Sequence, residues 1–484
     1  VHPEGRRLSY DIADKIAALN FGGVYLLKES KRYYPHDEML SHVLGYVGID
    51  NQGLSGLELE YDKILTGEYG SIQYFSDAKG NNLDRNSVYV EPEDGLDIYL
   101  TVNYKIQSSI ERELDNIVTK YNPEGAWALA MDPNTGEILG MSSRPNFNPN
   151  NYKNYSTEVI NRNMAIWASY EPGSTFKILT LSAAVNEGKV DLVNDTFFDG
   201  GSVNVDGARI KCWKHGGHGS QTFLEVVQNS CNPGFVELGN RLGKEKLFDY
   251  IYKFGYGKKT GIDLNGESTG ILFNLSKVGP VELATTAFGQ GVSVTALQQV
   301  TAVSAIVNGG TLYTPYIVSS VGDDSKSPVI KKENIITKET SDVVKYALES
   351  VVANGSGRNA YIENYRIGGK TGTAQKVGSD GRYMQGNYVL SFIGFMPADN
   401  PDYVMYIAID HAKGVTQYGG VVSAPIARNV FKDIISIHDI KEDTKGIPKS
   451  YRWDDIVYKM IPDVIGKTKK EAKKLLQGCV NTHF

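Results

Sequence analysis

Two apolar runs in GAWALAMDPNTGEILGMSS (residues 125–143) flank the turn sequence DPNTG, and comparable runs return only in YRIGGKTGTAQKV, NYVLSFIGFMPA and DYVMYIAID, within residues 365–412. Proline, asparagine and glycine at such a junction are hairpin chemistry: proline presets one backbone angle and glycine accepts the left-handed one. The intervening stretch from 171 to about 310 reads as mostly helical, as in SVTALQQVTAVSAIVNGG, whose closing glycines are a helix stop. Upstream, Ile106, Ile110, Leu114 and Ile117 recur at helical spacing just after the strand-like DIYLTV. Strands, then helices, then strands is an α+β pattern, an antiparallel sheet flanked by helices.

Residues 1–95 differ. Short apolar pieces (GGVYLL, SHVLGYVGIDNQGLSG, TGEYGSIQYF) are densely punctuated by Gly, Asn and Asp, which predicts a β-rich module without a catalytic constellation. The α+β domain then runs over 96–440, a polar linker (KEDTKGIPKS) opens 441–457, and a short tail occupies 458–484. A hydrophobic content of 41% over 484 residues supports a large core. The net charge of −6, without a dense Lys/Arg cluster, gives no reason to expect nucleic acid. No run approaches the roughly 18 apolar residues of a spanning helix. The start, VHPEGRRL without Met, reads as cut from a longer chain.

Three short patterns follow in order: STFK (Ser174–Lys177), SCN (Ser230, Cys231, Asn232) and KTGT (Lys370–Thr373). Each alone is weak; their order and settings carry the weight. Positions i and i+3 share a helix face, so Lys177 can reach Ser174. Pro172 and Gly173 suit a helix start, where free N–H groups favour a developing oxyanion. A serine hydroxyl attacks only once a base takes its proton, and a lysine kept neutral by burial or by a second cation such as Lys370 can do so. Lys370, Thr371 and Thr373 offer a cation and hydroxyls to a carboxylate, while the glycines around them, Gly372 included, suit a close approach of strand to ligand. The backbone N–H of Thr373 is a candidate second oxyanion donor. Ser230 can relay a proton and Asn232 can hold an amide, although NSCNP also reads as a plain inter-helix turn.

Together the three patterns resemble the active site of penicillin-binding proteins and serine β-lactamases. RPNFNPNNY, YEPGSTFK, ATTAFGQGVSVTALQ, NGGTLYTPY and GGKTGTAQK are similar to the transpeptidase domain of class B penicillin-binding proteins. KRYYPHDEMLSHVLGYVGIDNQGLSGLELEYDKILTGEYG is similar to their N-terminal pedestal, or dimerisation, domain, and IPDVIGKTKKEAKKLL resembles the opening of a PASTA module. By this resemblance Ser174 is the acylated nucleophile, Lys177 its base and Ser230 a proton shuttle. Asn232 binds the peptide, and Lys370, Thr371, Gly372 and Thr373 hold its terminal carboxylate. The implied reaction is D,D-transpeptidation: Ser174 attacks a D-Ala-D-Ala stem, expels D-Ala and passes the acyl group to a neighbouring stem's amine, with no cofactor needed for acylation. β-Lactams acylate the same serine. The resemblance further implies a single N-terminal membrane anchor, a catalytic domain outside the cytoplasm and a membrane glycan polymerase as partner. The tail and CWKHGGHG point to a sporulation branch of the family, with vegetative enzymes as near neighbours. Two other readings stay open on the same fold: a D,D-carboxypeptidase or β-lactamase, in which water deacylates Ser174, and a β-lactam sensor that acylates without turnover.

DGARIKCWKHGGHGSQ raises a second question. Cys212, His215 and His218 lie within seven residues, Cys231 sits inside the second motif, and thiolates with imidazoles are the ligands of tetrahedral zinc. The expectation is a structural zinc on Cys212, His218 and Cys231, with Asp206 or His215 fourth, bracing the Ser230–Asn232 turn. Two inert thiols, a Cys212–Cys231 disulfide, or a histidine that only hydrogen-bonds are the competing readings.

Overall fold

The hairpin forms as its turn sequence requires. Strands β1 (Gly125–Met131) and β2 (Ile138–Arg144) pair antiparallel, with Asp132 Oδ1 accepting from Asn134 N at 2.7 Å and Gly136 at a φ of 90°. The structure is a computed structural model that describes residues 5–76, 82–378, 380–450 and 464–471. The later strands β3 (Gly368–Val377), β4 (Tyr383–Met396) and β5 (Tyr403–Asp410) join the hairpin in one antiparallel sheet of order β3-β4-β5-β1-β2. β3, which carries Lys370 to Thr373, is therefore an edge strand.

The helices used below are, in chain order, α1 (Tyr104–Tyr121), α2 (Lys177–Asn186), α3 (Phe223–Gln228), α4 (Asn232–Leu242), α5 (Ala296–Val307), α6 (Lys338–Asn354) and α7 (Gly419–Ile437). Every residue of β1 is buried, because both sheet faces are covered. Alternate side chains serve the two cores: Trp127, Leu129 and Met131 join the larger helical core, while Ala126, Ala128 and Ala130 join the core beneath α1 and α7. The alanine row leaves room for those two helices to lie close. Asn103 caps α1 by accepting from Lys105 N and Ile106 N, and Ile106, Ile110, Leu114 and Ile117 are buried as their spacing predicts. α5 is buried on all sides, which fits its nearly uninterrupted apolar sequence and its place between the sheet and helices α2 and α6.

Three segments depart from expectation. Within the helical stretch, Thr196–Asp199 pairs with Gly219–Thr222 and Ser202–Val205 with Ala208–Lys211, two short ribbons turned by glycine-rich sequence. In the N-terminal module the hairpin Ser71–Ser76 with Asn82–Val90 is present, but Ser41–Leu44 is a helical turn, as are Gly56–Glu60 and Asp62–Leu65. GGVYLL forms no strand; among the described residues no neighbouring segment pairs with it. Val1–Ile447 form one compact unit and Pro448–Phe484 another. The start of the expected linker is packed within the first: Asp443 N donates to Asn364 O at 2.8 Å and Ile447 N to Glu349 Oε1 at 3.1 Å. The PASTA-like tail falls outside the described residues except for 464–471.

Candidate active site

Ser174 is the middle residue of a 3-10 turn, Gly173–Thr175, that leads directly into α2. The turn is held from three sides. Thr175 Oγ1 donates to Pro172 O at 2.8 Å, Gly173 N donates to Gly289 O at 3.0 Å, and Gly173, at a φ of 54°, lies against Ala374 of β3. Ser174 is half-buried, and its hydroxyl has no hydrogen bond to any described residue.

The lysine one turn on is very different. Lys177 is 1% exposed, and its Nζ donates to Ser230 O at 2.8 Å, to Asn232 Oδ1 at 2.7 Å and to Ser230 Oγ at 3.2 Å. Burial pulls its pKa down to about 7, against the opposing pull of Cys231 and Cys212. Lys370, equally buried on β3, donates from Nζ to Ser230 Oγ at 2.8 Å and to Thr371 O at 3.1 Å. Burial first, and the Lys177 charge second, hold Lys370 well below the usual ammonium range. Two buried ammonium groups on one neutral hydroxyl repel each other, so one of them tends to be neutral and can accept the Ser230 proton. The SCN turn is thus a polar bridge between the first and third motifs. Ser230 itself sits in the left-handed region, φ 53°, just before α4, whose first residue is Asn232.

Around β3 the fit is close. A side chain on Gly372 would place its first carbon 2.2 Å from Ser391 Oγ and 3.2 Å from Pro172 O, so only glycine lets the strand lie against the Ser174 turn. Thr373 Oγ1 accepts from Gly419 N at 3.1 Å, and Thr371 Oγ1 meets Ser356 Oγ at 3.2 Å. Ser356 N in turn donates to Gln228 O, at the end of α3 just before Ser230. Nothing local in the sequence marks Ser356 as a neighbour of the site.

Beside this centre lies a second cluster. Asp199, Cys212, His218 and Cys231 bring one ligand atom each to within 4.8 Å of one another. His218 Nδ1 is 2.8 Å from Asp199 Oδ2 and 3.4 Å from Cys212 Sγ, and Cys231 Sγ is 3.3 Å from Asp199 Oδ2. Both cysteines are free and buried. Although burial opposes it, hydrogen bonds from Cys212, His218, Gly201 and Cys231 draw Asp199 down to about 2. The Cys231 thiol is pushed up, first by its hydrogen bond with Cys212 and then by burial, and the same bond pulls Cys212 down. Trp213 fastens the cluster to the motif: its Nε1 donates to Asn229 O at 2.8 Å and its ring stands edge-on to His218.

The expected fourth residue needs correction. Asp206, at a φ of 46°, is exposed at the tip of the Ser202–Lys211 ribbon, and His215 is exposed in the turn closed by Gly217 N to Lys214 O. Neither joins the cluster. Asp199 takes the place because Asp199 pairs with Gly219 across the other ribbon, which sets its carboxylate beside His218. Only an Asp-Gly-Gly turn signal marked it in the sequence.

Residues 126–432 match the penicillin binding protein transpeptidase domain, and residues 6–100 match the penicillin-binding protein dimerisation domain. The chain is 57% identical over 484 residues to stage V sporulation protein D of Bacillus subtilis, covering 98% of this chain and 75% of that one. It is 32% identical over 439 residues to the peptidoglycan D,D-transpeptidase FtsI of Escherichia coli, covering 90% and 72%. Penicillin binding protein 3 from Mycobacterium tuberculosis, solved in its apo form, superposes with a TM-score of 0.75 at 27% identity, covering 87% of this chain and 94% of that one. With a buried two-lysine centre on the matching domain and a dimerisation domain ahead of it, the chain belongs to the class B penicillin-binding proteins.

Proposed function

We infer that this chain is a peptidoglycan D,D-transpeptidase that works through an acyl-enzyme on Ser174. The observation that carries the reading is the shared hydroxyl of Ser230, bonded by both buried lysines, of which Lys177 stands one turn on from the half-buried Ser174. Neutral Lys177 takes the Ser174 proton as Oγ attacks the carbonyl carbon of the penultimate D-Ala. The backbone N–H groups of Ser174 and Thr373 receive the oxyanion. As the C–N bond breaks, the departing D-Ala amine takes that proton back from Lys177 through Ser230. The amine of a second stem then attacks the ester, gives up its proton by the same route, and Ser174 regains its hydrogen. The stem lies along edge strand β3, where Lys370, Thr371 and Thr373 hold its terminal carboxylate beside Gly372, and Asn232 holds an amide. Penicillins enter the first step and stop there, and a relative of this fold has been crystallised with ampicillin.

The likeness to a stage V sporulation protein supports a role in spore cortex synthesis. The substrate lies outside the cytoplasm, which puts this domain at the outer side of the cell membrane. Among the described residues no helix is long and apolar enough to cross one. A membrane glycan polymerase that supplies uncross-linked strands is the partner the reaction requires.

Asp199, Cys212, His218 and Cys231 we assign to a structural zinc ion. Their ligand types suit it, all four are protein side chains as in a closed structural site, and Asp199, Cys212 and Cys231 are buried with His218 partly so. Held there, the ion braces Cys231 and with it the Ser230 turn, while the acylation chemistry stays with Ser174, Lys177 and Ser230.

Intact mass after mixing with a penicillin, beside Ser174→Ala, tests the main reading. A persistent one-to-one adduct on the parent chain alone is the expected result. Rapid return to the free mass with hydrolysed drug identifies a hydrolase instead, and no adduct removes Ser174 from its role.

A further inference from the structure

Strand β3, which carries the third motif, and its partner β4 extend past the rest of the sheet as an arm, and Tyr383 ties that arm toward the nucleophile. Tyr383, the first residue of β4, lies opposite Val377 near the arm's end, beyond an irregularity in register between Gln375 and Val377. Tyr383 is 44% exposed, yet its hydroxyl meets both oxygens of Glu171, at 3.0 and 3.1 Å. Glu171 is only 9% exposed, and the same carboxylate accepts from Gly291 N at 2.8 Å. The carboxylate is therefore fixed from behind by the 289–291 segment, whose Gly289 O also accepts from Gly173 N. Glu171 stands three positions before Ser174 in the chain. Lys376 on β3 is a further anchor of the arm, with its Nζ 2.6 Å from Glu124 and 2.8 Å from Asp410.

We propose that Glu171 and Tyr383 are positioning residues: their hydrogen bond ties the arm of the carboxylate-binding strand β3 to the backbone that presents Ser174, and so sets the width of the cleft between them. The inference rests on the reading of Ser174 as nucleophile. β3 is an edge strand whose backbone ladder runs to β4 on one side only; Lys370, Thr371 and Thr373 are tied by their side chains to Ser230, Ser356 and Gly419, and a fastening of the arm's end to Glu171 holds the strand at its far end as well. Neither residue exchanges a proton with the reacting atoms. Their contribution belongs to ligand capture, before any bond forms.

The test separates capture from chemistry by measuring the acylation rate of the chain against the concentration of a chromogenic cephalosporin. Tyr383→Phe keeps the ring and removes only the hydroxyl; it should raise the half-saturating concentration about tenfold while the maximal acylation rate stays within about twofold. Glu171→Ala should do at least as much, Tyr383→Phe should add less than about twofold in that background, and Glu171→Gln should recover most of the loss. Full-strength capture by Tyr383→Phe, a loss confined to melting temperature, or an unchanged penalty in the Glu171→Ala background would overturn the proposal. The parent chain and Ser174→Ala run alongside. If the parent forms no adduct, the nucleophile assignment fails and this inference goes with it; if the parent is acylated, the Tyr383 and Glu171 variants decide the proposal on their own.

Discussion

Lys177 and Lys370 donate to one and the same hydroxyl, that of Ser230, at 3.2 and 2.8 Å, although they come from a helix and an edge strand far apart in the chain. Both are 1% exposed, so neither charge is relieved by water. Their mutual repulsion and desolvation keep a neutral amine available next to the nucleophile, which an isolated surface lysine would not supply near neutral pH.

The rate of acylation should follow the protonation of Lys177. Burial draws its pKa down to about 7. The neutral form is the base, so the rate constant should rise as pH climbs through about 7 and fall about tenfold per unit below it. Lys177→Arg, which stays protonated throughout, should lower acylation by about a thousandfold or more. A profile flat between pH 6 and 8, on the order of the range where such a group titrates, would exclude Lys177 as the base.

Ser230→Ala removes the one oxygen both ammonium groups share. Acylation should drop about 10²–10⁴-fold, with the fold intact because the lost group is small and Lys177 keeps Ser230 O and Asn232. Circular dichroism and acylation measured on the same sample check both halves. A loss under about threefold would show that protons reach the leaving group without Ser230.

The glycine of the third motif is a steric statement. Gly372→Ala places a carbon 2.2 Å from Ser391 Oγ, 3.1 Å from Thr175 Cγ2 and 3.2 Å from Pro172 O. The expected cost is about 1–3 kcal/mol of stability and a large loss of acylation as β3 backs away from the Ser174 turn. Adding Ser391→Ala removes the nearest clash and should return part of both, read by thermal melting and adduct formation. A Gly372→Ala chain that acylates at the parent rate would contradict this packing.

Metal analysis of protein purified without added zinc should find about one zinc per chain. Asp199→Asn and Cys231→Ser should each abolish stoichiometric binding and lower the melting temperature by about 5–10 °C, while Asp206→Asn and His215→Asn change neither. Cys212 and Cys231 both titrating as free thiols alongside Cys479 without metal, or a mass short by two hydrogens, would replace the zinc site with a thiol pair or a disulfide.

How much of this was readable in the chain depends on how far apart the interacting groups lie in sequence. Ser174 and Lys177 are neighbours on one turn, and helical spacing alone places them together. Ile106, Ile110, Leu114 and Ile117 announce a buried helix face, and DPNTG announces a hairpin, because both rest on local periodicity and turn chemistry. The order of the three motifs was legible too. Which hydroxyl stands between the two lysines was not, since that required α2, the turn before α4 and an edge strand to converge. Asp199 joined Cys212, His218 and Cys231 through a ribbon that no apolar pattern announced, in the place expected for Asp206 or His215, which are nearer neighbours of Cys212 in sequence but stay exposed. Glu171 and Tyr383, far apart in the chain, meet only because the end of the β3–β4 arm comes down on the segment before Ser174. Sequence determines which face of an element is apolar and which residue types can do chemistry. Which hydrogen-bond partners those residues find across the cleft is decided by packing, because a donor and its acceptor need only share a position in space, not a neighbourhood in the chain.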